Sequence, residues 1–200
     1  GTGKTAAFLI TILARQYEFP AQGASPPGSP RALVLAPTRE LAIQIEHDGH
    51  DLAKHLDTRI MSVVGGMDMN RQRERLSEGV DILAATPGRL LDFMDRRVID
   101  LRRVEVLVID EADRMLDMGF IRDIKQIIRE LPKKRQNLLF SATFSAEIRE
   151  LAKGLLNNPM EVGVAPKNAT ADRVEQRELP VDKLRKREML SELIGKGNWR

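Results

Sequence analysis

The sequence predicts an α/β fold in which an open, mostly parallel sheet is flanked by helices. Three observations lead there. Short apolar runs rich in β-branched residues recur, and they lack the apolar–polar alternation of a half-exposed strand, so each suits a strand buried on both faces. Helical patterns separate these runs, and strand–helix alternation marks a parallel sheet built from crossovers. Each run closes on a polar or glycine-containing cluster, and in open α/β sheets ligands bind beyond the carboxyl ends of the strands.

Taken in order, a helical pattern fills residues 5–16, directly after "GTGKT". "YEFPAQGASPPGSP" at 17–30 is rich in Pro, Gly and Ser and reads as a surface loop. The strands are expected in "RALVLAP" at 31–37, "RIMSVVGG" at 59–66, "VDILAATP" at 80–87, "VEVLVIDE" at 104–111 and "QNLLFSAT" at 136–143. Helices are expected at 39–55, 68–78, 87–95, 120–130 and 145–156. The stretch 157–180 reads as one more short strand and then a connector. In the tail, Leu184, Met189, Leu190, Leu193 and Ile194 fit an amphipathic helix that stops at Gly195.

Composition narrows the function classes. Apolar residues at 42% and charged residues at 30% describe a globular chain able to bury a core. Thirty-two basic residues face 29 acidic ones, a net charge of +3, so binding to nucleic acid would depend on placed residues rather than on a strongly basic field. The basic clusters at 71–75, 133–135 and 183–187 read as solvated helix surface. The absence of cysteine excludes a disulfide framework, a thiolate nucleophile and a Cys-based zinc site, and it fits a reducing compartment. No apolar run approaches the ~18 residues of a membrane-spanning helix.

"GTGKT" supplies the second half of the phosphate-loop pattern G-x-x-x-x-G-K-S/T, whose first half and preceding strand we expect ahead of Gly1. Gly1, Thr2 and Gly3 would bring backbone amides to phosphate oxygens at the start of a helix. Lys4 would reach the β and γ phosphates, and the Thr5 hydroxyl would ligand Mg²⁺. "VLVIDEAD" is the matching second half of such a site: Asp110 is the candidate metal anchor, and Glu111 the candidate general base. Two acids capping the following helix would account for the same residues, but a phosphate loop in the same chain favours the catalytic reading.

Two further clusters read as backbone grips. Thr86 suits an N-cap and Pro87 a first helical position, so a helix starts there with Arg89 in its first turn. Pro37-Thr38-Arg39-Glu40 repeats the scheme. Each alone is ordinary capping, whereas two Arg-bearing helix starts beside a nucleotide site favour a polyanionic second ligand. His47, His50 and His55 fall on one expected helix and read as its exposed surface.

These stretches together resemble the DEAD-box ATP-dependent RNA helicases over nearly the whole chain. "GTGKT", "PTRELA", the glycine doublet 65–66, "TPGR", "DEAD" and "SAT" stand in that family's order and at similar spacing. "DEADRMLDMGF" and the tail look most like the bacterial RhlE-type branch. The resemblance implies RecA-like P-loop NTPase domains closing around ATP, Mg²⁺ and single-stranded RNA. Residues 1–165 would be the first, ATP-binding domain, and 166–200 a linker and the beginning of the second. It implies that Thr38, Arg39, Gly66, Thr86 and Arg89 touch the RNA sugar-phosphate backbone, and that Asp113, Ser141 and Thr143 couple hydrolysis to domain movement. The expected activity is RNA-stimulated ATP hydrolysis coupled to local unwinding of short duplexes in the cytoplasm. Neither RNA-stimulated turnover nor duplex separation is expected from this chain alone, because the resemblance implies an arginine finger supplied by the second domain. An ATP-controlled RNA clamp and a DNA-directed ATPase are the competing readings.

Overall fold

The computed structural model describes residues 3–21, 23, 25–163, 179–182 and 185–197. Five strands form one sheet: β1 (Ala32–Leu35), β2 (Ile60–Val63), β3 (Ile82–Ala85), β4 (Val106–Ile109) and β5 (Gln136–Leu139). Their order is β2-β3-β1-β4-β5, and every pairing is parallel, so the described sheet is wholly rather than mostly parallel. The register brings the strand ends level. Leu35 pairs with both Ala85 and Ile109, Val63 with Ala85, and Ile109 with Leu139. All five carboxyl ends therefore lie on one edge.

Helices cover both faces. α1 (Lys4–Glu18) and α2 (Arg39–Leu52) pack on one, where Phe8, Leu9, Ile12 and Ile45 meet Ala32, Val34, Ile82 and Val108. The other face carries α3 (Met69–Ser77), α4 (Pro87–Asp95), α5 (Ala112–Asp117), α6 (Ile121–Glu130) and α7 (Ala146–Leu155). There Leu76, Leu90, Phe93, Ile127 and Leu151 bury Leu33, Leu83, Leu107 and Ile109. Alternate residues of one strand thus serve two cores, which is why the strands read as continuous apolar runs. At about 1.5–3 kcal/mol for each fully buried large aliphatic or aromatic side chain, these two layers are the main stabilising term.

Several expectations need correction. β1 to β4 are buried throughout, but β5 is half-exposed and begins on exposed Gln136. It pairs only with β4 among the described residues, and Asn137 turns sideways to bond Leu155 O at 2.9 Å and Arg135 Nε at 2.8 Å. The loop at 17–30 is not wholly superficial. Gly28 to Pro30 are buried, Gly28 N–H bonds Leu76 O, and Asp100 N–H bonds Gly28 O. A Cβ at Gly28 would collide with Val98 O, and its φ of +59° also demands glycine. α2 ends at Leu52, so His55 lies beyond the helix that carries His47 and His50. No strand occurs within 157–163, where the backbone after α7 is irregular; the rest of that stretch to 178 lies outside the described residues.

The chain divides into two compact units, Gly1–Asn158 and Pro159–Arg200. The second contains α8 (Lys186–Gly197), which passes through Gly195 instead of stopping there. Leu184 lies outside the described residues. No described helix is long and apolar enough to cross a membrane.

Candidate functional site

The sheet order sorts the clusters along the carboxyl edge. From one side it carries Gly65-Gly66 after β2, Thr86 to Arg89 after β3, Pro37 to Arg39 after β1, Asp110-Glu111 after β4, and Ser141 to Thr143 after β5. The three clusters expected to meet a polyanion are contiguous, and the expected metal anchor and general base lie beside the cluster expected to couple hydrolysis to domain movement. Only the insertion of β1 between β3 and β4 departs from chain order.

At the hydrolytic half, Gly3 takes the left-handed conformation, φ +71°, and starts α1 with no side-chain cap, so the first-turn amides of Lys4 and Thr5 are not claimed by a capping side chain. Gly1 and Thr2 lie outside the described residues. Lys4 and Thr5 are half-buried. Asp110 is buried, 4% exposed, at the end of β4. Burial raises its pKa above the ordinary aspartate value, opposed by the Glu111 N–H at 3.0 Å and by the positive charge of Lys4. The lysine of the helix start therefore acts on the strand-end aspartate through space. Glu111 is held at φ +49°, ψ +52°, a left-handed conformation costly for a residue with a Cβ and one that clusters at functional sites. Its carboxylate meets Arg114 at 3.3 Å.

The residues expected to couple are joined. Asp113 Oδ2 accepts from Thr143 N at 2.9 Å and from Thr143 Oγ1 at 3.0 Å. Asp113 N–H donates to Ser141 Oγ at 3.3 Å, and Ser141 Oγ donates to Thr143 O at 2.6 Å. Partial burial pushes the Asp113 pKa up, but the bonds from Thr143, Arg114 N–H and Ser141 outweigh it and leave it lowered. This clasp ties the first turn of α5 to the loop after β5.

The other half is organised by backbone. Thr38 caps α2, its hydroxyl accepting Leu41 N–H at 3.3 Å, while Arg39 is half-exposed and pairs with Glu40 at 3.1 Å. Thr86 occupies the N-cap position of α4 with Pro87 following, yet its side chain makes no capping bond. Arg89 turns inward. Its side chain is 10% exposed, donates to Met67 O at 3.1 Å, approaches Asp92 at 3.8 Å and lies over the Phe93 ring. Gly66 adopts φ +75°, and a Cβ there would meet Arg39 Nη1 at 3.3 Å. The loop after β2 is thus set between Arg39 and Arg89. Beside it, a groove of about 600 Å³ is lined by Arg39, Glu40, Ile43, Gln44, His47 and Met67. Sequence reasoning missed this groove because Ile43 and Gln44 carry no motif; an exposed apolar residue in the second turn of α2 was the available signal.

A lysine at a helix start acting on a buried strand-end aspartate, on the ligand edge of an all-parallel sheet, is the arrangement of a RecA-like P-loop domain. Comparison with known proteins then fixes the family. The chain belongs to the DEAD/DEAH box helicase family, whose model matches residues 1–151. It is 48% identical over 202 residues to the ATP-dependent RNA helicase RhlB of Pseudomonas aeruginosa, covering 100% of this chain and 51% of that protein. RhlB of Pseudomonas putida matches to the same extent, 48% with 51% of its length covered. Among solved structures, the yeast DEAD-box splicing factor Prp28 superposes with a TM-score of 0.72 at 37% identity, over 78% of this chain and 38% of that one. A hypothetical ATP-dependent RNA helicase from Sulfolobus tokodaii gives 0.70 at 41% identity, over 79% of this chain and 44% of that one. The chain spans about half the length of the curated relatives it matches most fully. Their names carry RhlB, a branch other than the expected RhlE type, so that finer assignment finds no support.

Proposed function

We propose that this chain is the ATP-binding half of an RNA-dependent ATPase that separates short RNA duplexes locally, without processive travel. The names of its relatives and the layout of the carboxyl edge support this reading. Residues 1–165 form the first RecA-like domain, and 166–200 lead toward the second. Lys4, with the amides of Gly1 to Thr5, binds the ATP phosphates. Thr5 and Asp110 are hard oxygen donors of the kind Mg²⁺ takes, and a divalent cation would relieve the cost of a buried Asp110 carboxylate. Mg²⁺ bound there would neutralise charge on the phosphates. Glu111 accepts the proton of the attacking water, and its left-handed backbone sets it at the junction of β4 and α5. Thr38, Arg39, Gly66, Thr86 and Arg89 form an RNA path along β2, β3 and β1, which reads the sugar-phosphate backbone and little sequence. The clasp of Asp113, Ser141 and Thr143 couples hydrolysis to domain movement. The protein works in the cytoplasm.

The observation that carries the proposal is the segregation of the edge, with the Asp113–Thr143 clasp beside the seam. ATP turnover measured with oligouridine and with the corresponding deoxy-oligomer tests it. RNA should stimulate and DNA should not. Equal stimulation by both would remove the selectivity for RNA, stimulation by DNA alone would replace RNA by DNA as the ligand, and binding without duplex separation would leave a clamp.

A further inference from the structure

We infer that Gln72 is a positioning residue for RNA binding, holding the Gly65–Gly66 loop in its ligand-ready shape from inside the fold. This rests on the reading that Gly66 lies on the RNA path. α3 reads "MNRQRERLS", and its exposed face is charged: Arg71, Arg73, Glu74 and Arg75 are all exposed. The inward positions, four apart, are Gln72 and Leu76. Helical period asks for an apolar residue at both, so a glutamine that is 3% exposed needs a reason, because a buried amide without partners is costly.

Its partners supply the reason. Val64 lies just past the end of β2, where the strand ladder stops serving its backbone. Gln72 Oε1 accepts Val64 N–H at 2.8 Å, and Gln72 Nε2 donates back to Val64 O at 3.3 Å. The same Nε2 reaches Asp68 O at 3.2 Å and Met67 O at 3.4 Å. One side chain therefore ties both ends of the loop, and Arg89 holds Met67 O from the opposite side at 3.1 Å. With these carbonyls engaged inward, the exposed amides of Gly65 and Gly66 have no acceptor among the described residues. Gly66 sits beside the guanidinium of Arg39. Successive backbone amides turned to solvent near a cation form an anion-binding concavity. Gln72 touches no ligand itself; it removes the ordering cost that RNA would otherwise meet on binding.

The test is Gln72→Met, which keeps the volume and deletes every amide bond, read with fluorescein-labelled oligouridine and a fluorescent ATP analogue. RNA affinity should fall about ten-fold, the factor set by 1.4 kcal/mol of lost preorganisation. The slope of affinity against salt should stay unchanged, because no cation is removed. Nucleotide affinity should hold, and amide exchange should accelerate at 64–68 while β1 and β4 stay protected. RNA affinity within about two-fold of wild type, with Arg39→Ala still weakening binding, would overturn the inference alone. If Arg39→Ala and Thr38→Val also leave RNA affinity intact, the RNA path itself is wrong. Parallel loss of nucleotide affinity would make Gln72 a general folding residue and overturn its positioning role. Should Gln72→Met not fold, Gln72→Asn, an amide one methylene too short for the loop, is read by the same criteria.

Discussion

Along the carboxyl edge, the glycine loop after β2 is held by side chains from α3 and α4, whereas the elements after β4 and β5 hold one another. Gln72 and Arg89 anchor the glycine loop from α3 and α4, and Thr38 caps its own helix. Asp113, in the first turn of α5, instead bonds Thr143 in the loop after β5, and Glu111 carries a strained backbone where β4 turns into α5. The first half is prearranged; the second couples parts that can part. A rigid surface suits recognition of a repeating polyanion, while strain and mutual bonding suit a site that changes state within a turnover.

The largest break in this comparison comes at Lys4. Lys4→Ala should abolish ATP turnover and weaken nucleotide binding, leaving oligouridine affinity without nucleotide unchanged. Fluorescence titration with each ligand checks it; wild-type turnover would remove Lys4 from the site. Next is Glu111→Gln, which should keep nucleotide bound and lose about 10²–10⁴-fold in turnover, the scale of a lost general base. Asp110→Asn should instead lose Mg²⁺-dependent binding. Single-turnover and binding measurements on both separate the roles, and equal binding losses would merge them.

The sequence already displayed the strands, because burial on both faces leaves a continuous apolar run with no other explanation, and the motif residues stood at their ends. It did not display how those residues are held. Arg89 looked like an exposed grip at a helix start, yet Phe93 and Met67 O draw it inward, a contact between α4 and a loop 22 residues earlier. Gln72 looked like one more polar residue on a charged helix, since nothing local shows that its face meets the end of β2. The left-handed backbone at Glu111 was hidden for the same reason. It follows from how β4 turns into the short helix α5, which residue preference opposes rather than announces. β5 was read as fully buried because its central residues are apolar, while exposure depends on what lies beside it.

A smaller effect sharpens the coupling half. Asp113→Asn weakens the bonds to Thr143 and should lower stability at neutral pH by about 1.5–3 kcal/mol, the range for hydrogen bonds to a charged group. The sign of its pH dependence follows from the lowered pKa of Asp113. The contribution is present above the ordinary aspartate value and is lost as pH falls through the depressed one. Urea unfolding at neutral and acid pH should show the difference between wild type and Asp113→Asn shrinking on the acid side. A constant difference would mean the lost bonds do not depend on the carboxylate charge.

The smallest effect tests the prearranged half, by setting its two arginines against each other. Arg39 is half-exposed with Glu40 as its charged partner, whereas Arg89 is buried against Met67 O. A guanidinium that neutralises a phosphate releases counterions, so its removal should lower the single-strand salt slope by about 0.7. Arg39→Ala should show that loss and weaken unrelated RNA sequences alike, since a backbone contact carries no sequence information. Arg89→Ala should show the same slope change only if the side chain swings out to the strand. If it remains under the loop, affinity falls while the slope holds, as for a support that leaves the number of neutralised phosphates unchanged. Affinity for several oligonucleotides across a salt series distinguishes the two. An unchanged slope in Arg39→Ala would mean that no phosphate is neutralised there, and a change of sequence preference would place Arg39 against bases instead.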